Sequence, residues 1–163
     1  GSEMCIRDRN YAKERKLKKT PSKVNGTVAE AIQDFRFAFH CDNLAINFFR
    51  SNAEPVCSLS PLEFELAIYN LLKNAKEALE AQNVKNPEIT LAVNEDKDSC
   101  RIAIADNGSK VSDDELQRIQ VSMSSRKSAG LGIGLSIVRS IIQNHGGKFS
   151  IKRTELGQVL PAK

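Results

Sequence analysis

Asn70, Asn74 and Glu77 stand at i, i+4 and i+7 within the run ELAIYNLLKNAKEALEA. On a helix that spacing puts all three side chains on one face. Asparagine is an indifferent helix former because its amide competes for backbone hydrogen bonds, so two on one face suggest a use beyond folding. Their amide oxygens suit a hard cation such as Mg²⁺, which keeps several waters and borrows phosphate oxygens. A plain solvated helix face has the same pattern. A second group is Ala105-Asp106-Asn107-Gly108, at the end of a run rich in Ile and Ala. A carboxylate at the mouth of a sheet can accept a hydrogen bond from a purine amino group, and Gly108 lets backbone approach a flat ring. Asn-Gly is also a strong turn pair, so a simple strand-ending turn fits as well.

The third group is Ala129-Gly130-Leu131-Gly132-Ile133-Gly134-Leu135-Ser136. Its alternate glycines expose backbone N–H groups where a helix begins, and those groups with the helix dipole form an anion site. The preceding Ser124-Ser125-Arg126-Lys127-Ser128 adds hydroxyls and two cations for a polyphosphate. A flexible linker is the bland alternative. A dinucleotide-binding turn is another, but such turns follow directly after a strand, and here a polar, basic loop precedes the glycines.

The elements that must hold these groups are legible in outline. Ser60-Pro61-Leu62-Glu63 is a capping box with Pro at the first helical position. Behind it Ile68, Leu71, Leu72, Ala75, Ala78 and Leu79 form an apolar stripe at helical spacing. Residues 27–44 read as a helix and Ile46 to Arg50 as a strand. Ile89, Leu91 and Val93, then Cys100, Ile102 and Ile104, alternate with other residues as a hairpin around the polar loop Asn94–Ser99. A short helix is expected around Asp113–Ile119, and a longer one over about 133–145, stopped by Gly146-Gly147. Lys148–Arg153 closes as a strand. The order implies helices on one face of a mixed sheet.

At 163 residues, with 40% hydrophobic and 27% charged residues, the chain fits one globular domain. Residues 1–20 carry seven of the 24 Lys/Arg and three of the 20 Asp/Glu, which leaves 17 of each sign elsewhere. The basic run has no aromatic platform, so it reads as a solvated segment, frayed or helical, and nucleic acid is not an expected partner. Thr20-Pro21-Ser22 punctuates the chain. Gly1-Ser2 read as a cloning scar. Cys5, Cys41, Cys57 and Cys100 lack metal-ligand spacing and read as reduced and unpaired, three of them packed as small hydrophobes. No stretch approaches the roughly 18 apolar residues of a membrane span, so the chain reads as soluble and no membrane contact is expected.

Asn70-Leu71-Leu72-Lys73-Asn74-Ala75, then Asp106-Asn107-Gly108, then Gly130-Leu131-Gly132-Ile133-Gly134-Leu135 resemble the N, G1 and G2 boxes of histidine-kinase catalytic domains. Gyrase, heat-shock chaperone and mismatch-repair ATPases share that superfamily. The tail Ile141–Gly147 is similar to these kinases too, and the resemblance covers roughly residues 25–155. It implies an α/β two-layer sandwich, the Bergerat-type ATP-binding fold: a mixed, mostly antiparallel sheet with helices on one face and ATP under a lid at about residues 109–131. Residues 1–22 then form a basic lead-in or non-native remnant, and 23–163 the ATP-binding domain.

By the same resemblance Asp106 holds the adenine amino group and Gly108 lies against the base. Asn74 and Asn70 serve Mg²⁺ and the phosphates, with Glu77 on their face. Gly130, Leu131, Gly132, Ile133, Gly134 and Leu135 shape the lid end and phosphate cradle. Lys127 falls where some members place a lysine that reaches the terminal phosphate. Hydrolysing branches carry a glutamate at position 70 to activate water; an asparagine cannot act as that base. Phosphoryl transfer to a histidine on a separate dimerisation domain is therefore implied, in two-component signal transduction with a response regulator downstream. His40 and His145 read as structural, so the acceptor lies elsewhere. The chain departs from the family at Lys110, where a second glycine is usual, at Met123-Ser124, where an aromatic pair is usual, and in a short final strand. Lys110 either restricts the lid or contacts phosphate. The alternatives are a superfamily ATPase, an anti-sigma-type serine kinase, or a non-catalytic nucleotide-binding module.

Overall fold

The computed structural model describes residues 2–7, 18–40, 43–109, 112–124 and 131–151. The capped helix forms as its sequence dictates: α2 spans Pro61–Ala81, and the Ser60 side chain accepts the Glu63 N–H at 3.5 Å. The box is not closed from the other side. The Ser60 N–H instead donates to His145 Nε2 at 2.9 Å. His145 Nδ1 sits 2.7 Å from the Ile141 carbonyl, so Nδ1 carries the proton and Nε2 accepts. The ring is buried and stands edge-on to Phe64. A histidine beside the last glycines thus joins the end of one helix to the start of another.

The first long helix, α1, spans Val24–Phe39, three residues earlier than its pattern suggests and shorter at the far end. It starts early because the Val24 N–H bonds to the Pro55 carbonyl. It ends at His40, whose left-handed φ of 46° closes the last turn with an N–H bond to Arg36. Leu44, expected on the helix, is buried beyond its end.

The main sheet has five strands in the order β3(Ala45–Phe49), β5(Glu88–Asp96), β6(Ser99–Asp106), β1(Ser2–Arg7), β7(Lys148–Ile151). Only β3 and β5 are parallel; every other pairing is antiparallel. A two-stranded ribbon joins β2(Thr20–Lys23) to β4(Val56–Leu59). Pro21 is tolerated because it lies in a ribbon strand with one neighbour. The β5–β6 hairpin is longer than expected. Asn94–Asp96 pair with Ser99–Arg101, so the polar residues read as a loop are the exposed ends of two strands.

The expected frayed or helical lead-in does not hold for Ser2–Arg7. That segment is a strand between β6 and β7, with Met4 buried. Its charge, averaged over twenty residues, masks a short strand-length run. Thr20–Lys23 is likewise strand rather than punctuation.

Helix α4 spans Leu131–Asn144 and packs on α2, which also packs on α1. These helices cover one face of the sheet. Phe35, Phe64, Ile68, Leu72, Leu91, Ile102 and Ile142 meet in a single core. The opposite face of β5 and β6 carries small residues, Ala92, Ala103 and Ala105. Helix α3 spans Asp113–Ser124, longer than expected, and packs on α4. Cys57 and Cys100 are buried and unbridged, and Cys5 is half-buried. The hydrogen bond with Cys57, then burial, pushes the Cys100 thiol far up, so it stays protonated. Among the described residues no helix is long and apolar enough to cross a membrane.

Candidate functional site

Helix α2 is the floor on which the candidate residues converge. Asn70 donates from Nδ2 to the Leu66 carbonyl at 2.9 Å, which fixes its amide and leaves Oδ1 turned outward. Gly134, in the first turn of α4, faces that oxygen. A Cβ there would stand 3.4 Å from Asn74 Oδ1 and 3.5 Å from Asn70 Oδ1. The start of α4 therefore lies directly over both amides, within van der Waals reach of a side-chain carbon at position 134.

Asn74 Nδ2 is buried without a hydrogen-bond partner. A buried amide donor without an acceptor costs about 1–3 kcal/mol, so its retention needs a reason. The start of α4 supplies one. The first four N–H groups of a helix have no intrahelical acceptor and carry its positive end. Within the described helix they belong to Leu131, Gly132 and Ile133. An anion seated there could accept from both the helix start and Asn74.

The second convergence lies at the end of α2. Asp106 closes β6, and its Oδ1 accepts the Gly108 N–H at 2.8 Å. One carboxylate oxygen is thus used to shape the loop. A Cβ on Gly108 would come within 2.8 Å of Gln82 Oε1, 2.9 Å of Asp106 Oδ1 and 3.3 Å of Leu79 Cδ2. A side chain there would push on the Gln82 and Asp106 carbonyl and carboxylate ends that hold the loop. Leu79 lies five residues beyond Asn74, about 7.5 Å along the helix axis. The aspartate loop and the glycine turn therefore sit over neighbouring stretches of one helix.

Two residues that sequence reasoning passed over hold this loop. Asn107 Oδ1 accepts the Glu88 N–H at 2.8 Å, and its Nδ2 donates to the Asn86 carbonyl at 3.0 Å. Gln82 Oε1 accepts the Ser109 N–H at 2.6 Å. Both bonds join residues far apart in sequence, so no local pattern announces them. The turn pair Asn-Gly was visible, but not that its asparagine clamps the neighbouring strand.

The other expected site residues divide. Glu77 is on α2 but exposed. Leu135 is buried in the core rather than lining the cradle. Leu131, Gly132 and Ile133 belong by backbone to the first turn of α4. Lys110, Lys127 and Gly130 lie outside the described residues. Of the expected lid, α3 is described.

A separate cavity of about 500 Å³ opens between the end of α1 and the far side of α2, lined by Phe39, Leu44, Lys76 and Val84 among others. Its α2 residues Lys76 and Glu80 lie on a different face of the helix from Asn70 and Asn74, so it is not the convergence just described. Leu79 alone borders both. Among the described residues no cluster of three or more His, Cys, Asp or Glu could hold a metal. A cation here would have to use amide oxygens and oxygens of a bound ligand. The outward amide oxygens of Asn70 and Asn74 fit that requirement.

Residues 60–159 match the family described as histidine kinase-, DNA gyrase B-, and HSP90-like ATPase. The chain is 28% identical over 154 residues to the sensor protein TdiS of Thauera aromatica, covering 93% of this chain and 28% of that protein. It is 25% identical over 116 residues to the sensor histidine kinase ZraS of Escherichia coli O157:H7, covering 71% of this chain and 24% of that one. The chain thus spans about a quarter of the length of these relatives. The catalytic domain of histidine kinase ThkA superposes with a TM-score of 0.65 at 22% identity, over 78% of this chain and 81% of that one. The ATP-binding domain of PrrB from Mycobacterium tuberculosis gives 0.57 at 23% identity, over 80% and 83%. The sandwich, the order of the three motifs and their meeting on α2 agree with these matches: the chain belongs to the histidine kinase-, DNA gyrase B-, and HSP90-like ATPase family, as an ATP-binding domain of the sensor histidine kinase type.

Proposed function

We propose that this domain binds Mg-ATP across α2 and, within a longer sensor kinase, presents the γ-phosphoryl group to a histidine on a separate dimerisation domain. The observation that carries the reading is the pairing of Asn70 and Asn74 under Gly134, with Asn74 Nδ2 buried and unpaired. The triphosphate lies between those amides and the start of α4. The free carboxylate oxygen of Asp106 accepts from the adenine amino group, and Gly108 flattens the loop against the base. The Asn74 and Asn70 oxygens would hold Mg²⁺ together with phosphate oxygens, and that ion would supply charge neutralisation at the phosphates.

Asn70 bears on the reaction type. Its Nδ2 is tied to the Leu66 carbonyl and its side chain cannot take a proton near neutral pH, so the domain offers no base for activating water there. Phosphoryl transfer asks for positioning and charge neutralisation, so a domain without its own base still serves once the acceptor brings one. The acceptor is not within the described core, where both nitrogens of His145 are engaged. A response regulator follows downstream, and the domain works on the cytoplasmic side.

Calorimetry with ATP, with and without Mg²⁺, is the first test; saturable, Mg²⁺-strengthened binding is expected. Labelled ATP and a supplied histidine-bearing hairpin domain should then yield acid-labile phosphoprotein. Acid-stable phosphate on a partner, or steady phosphate release by the domain alone, would transfer the assignment to another branch of the superfamily.

A further inference from the structure

A second groove of the helical layer is uncovered, and its chemistry is not that of the nucleotide site. Ala31 and Asp34 of α1 face Leu62, Glu65, Leu66 and Tyr69 of α2 across a cavity of about 290 Å³. Leu62 is 81% exposed and Leu66 47%. The two are four residues apart, so they form one stripe along the helix. The core does not use them: α2 buries Phe64, Ala67, Ile68, Leu71 and Leu72. A pair of adjacent exposed leucines beside a hollow is the kind of surface that a partner covers.

The charges around the hollow define that partner. Asp34 and Glu65 line it, and Glu30 stands one helical turn before Asp34 on α1, close enough for its charge to be felt at Glu65. Partial burial, then Asp34, then Glu30, holds the Glu65 carboxyl above the ordinary range. No salt bridge joins any of the three to a cation among the described residues. A neutral apolar partner would desolvate these carboxylates without compensation, and an anionic one would add repulsion. A nucleic acid or an anionic membrane is disfavoured on the same ground. A helix with an apolar stripe edged by Lys or Arg satisfies both halves of the surface, leucines against its stripe and carboxylates against its cations.

We propose that the α1/α2 groove is a docking site for a cationic amphipathic helix of a partner protein, with Leu62 and Leu66 as apolar anchors and Glu30, Asp34 and Glu65 as charge partners. The groove adjoins the nucleotide face at the Leu66 carbonyl, which accepts from Asn70 Nδ2, but none of the proposed anchor or charge-partner side chains touches Asp106, Gly108 or Gly134 in the described contacts.

Two fluorescent peptides test it, both helical with leucines at i and i+4, one flanked by lysines and one by glutamates. Anisotropy is followed as the domain is titrated, at low and high salt, with wild type, Leu62→Ser and Glu65→Lys. The fold of each variant is checked by circular dichroism. Saturable binding of the lysine peptide is expected, weakened about tenfold or more by either substitution and by salt, with no binding of the glutamate peptide. Equal binding of the two peptides, equal affinity of the variants, or no saturable binding overturns the proposal. Self-association of the domain that Leu62→Ser abolishes would make a second copy the occupant and overturn it as well.

Discussion

Within Asp106-Asn107-Gly108 the three residues have three separate tasks. Asp106 turns one oxygen on the Gly108 N–H while its other oxygen is the proposed partner of the adenine amino group, Asn107 clamps the start of β5, and Gly108 makes room beside Gln82 and Leu79. These tasks separate by experiment. Asp106→Asn can present a donor to the adenine amino group; an unsatisfied pair of this kind costs about 1–3 kcal/mol, so ATP affinity should fall roughly five- to 150-fold in calorimetry. Fold stability should change little. Asn107→Ala should do the opposite. It removes two hydrogen bonds to backbone groups of residues 86 and 88, worth about 1–2 kcal/mol in urea unfolding, and leaves the proposed adenine acceptor in place. If the two variants have interchangeable effects, the division of labour fails. The sequence displayed Asp106 and Gly108 as candidates because their chemistry is local. It did not display the tasks of Asn107 and Gln82, because their partners lie across the hairpin and across α2.

Among the elements, α2 is the most instructive. Its two faces are both committed, one to the core and one to the amides, and its first two turns carry a further acidic, leucine-bearing edge. Glu65 on that edge makes a signed prediction. Its carboxyl is raised in the folded state, so folding retains a proton that the unfolded chain releases. Its contribution is therefore present below the ordinary glutamate value of 4.5 and is lost as pH rises through the folded value. Glu65→Gln should melt higher than wild type near neutral pH, by no more than about 2 °C for an exposed edge, and the gap should close as pH falls toward 4.5. A gap that widens in acid would contradict it. The start of α2 was plain in the sequence because the capping box is a local device. The end of α1 was not, because Cys41–Leu44 continue an apolar pattern while the backbone leaves the helix at His40. The hairpin loop was overestimated for a related reason: polarity marks exposure, and the ends of β5 and β6 are exposed strand.

For the whole molecule, the sandwich was legible from the order of elements, since helices with one apolar stripe need a sheet to cover. The place of Ser2–Arg7 was not, because strand order within a sheet is settled by pairing between distant segments. The long-range tie that can be tested most directly is His145. His145→Ala would leave the buried Ser60 N–H without an acceptor and open a void beside Phe64. Together these should cost about 3 kcal/mol in denaturant unfolding, with the slope unchanged. A loss below about 1 kcal/mol would show that the bond is incidental.

The same imidazole has a mechanical corollary. With one nitrogen on Ile141 and the other on Ser60, the tail of α4 is fastened to the head of α2. The rod can rock about that fulcrum, but it cannot slide lengthwise without tearing the ring from Ser60. Leu131 lies about 20 Å from the fulcrum, so a tilt of about 5° swings the glycine end by about 2 Å while the tail stays still. Amide exchange along α4 should therefore slow steadily from its glycines toward Ile142.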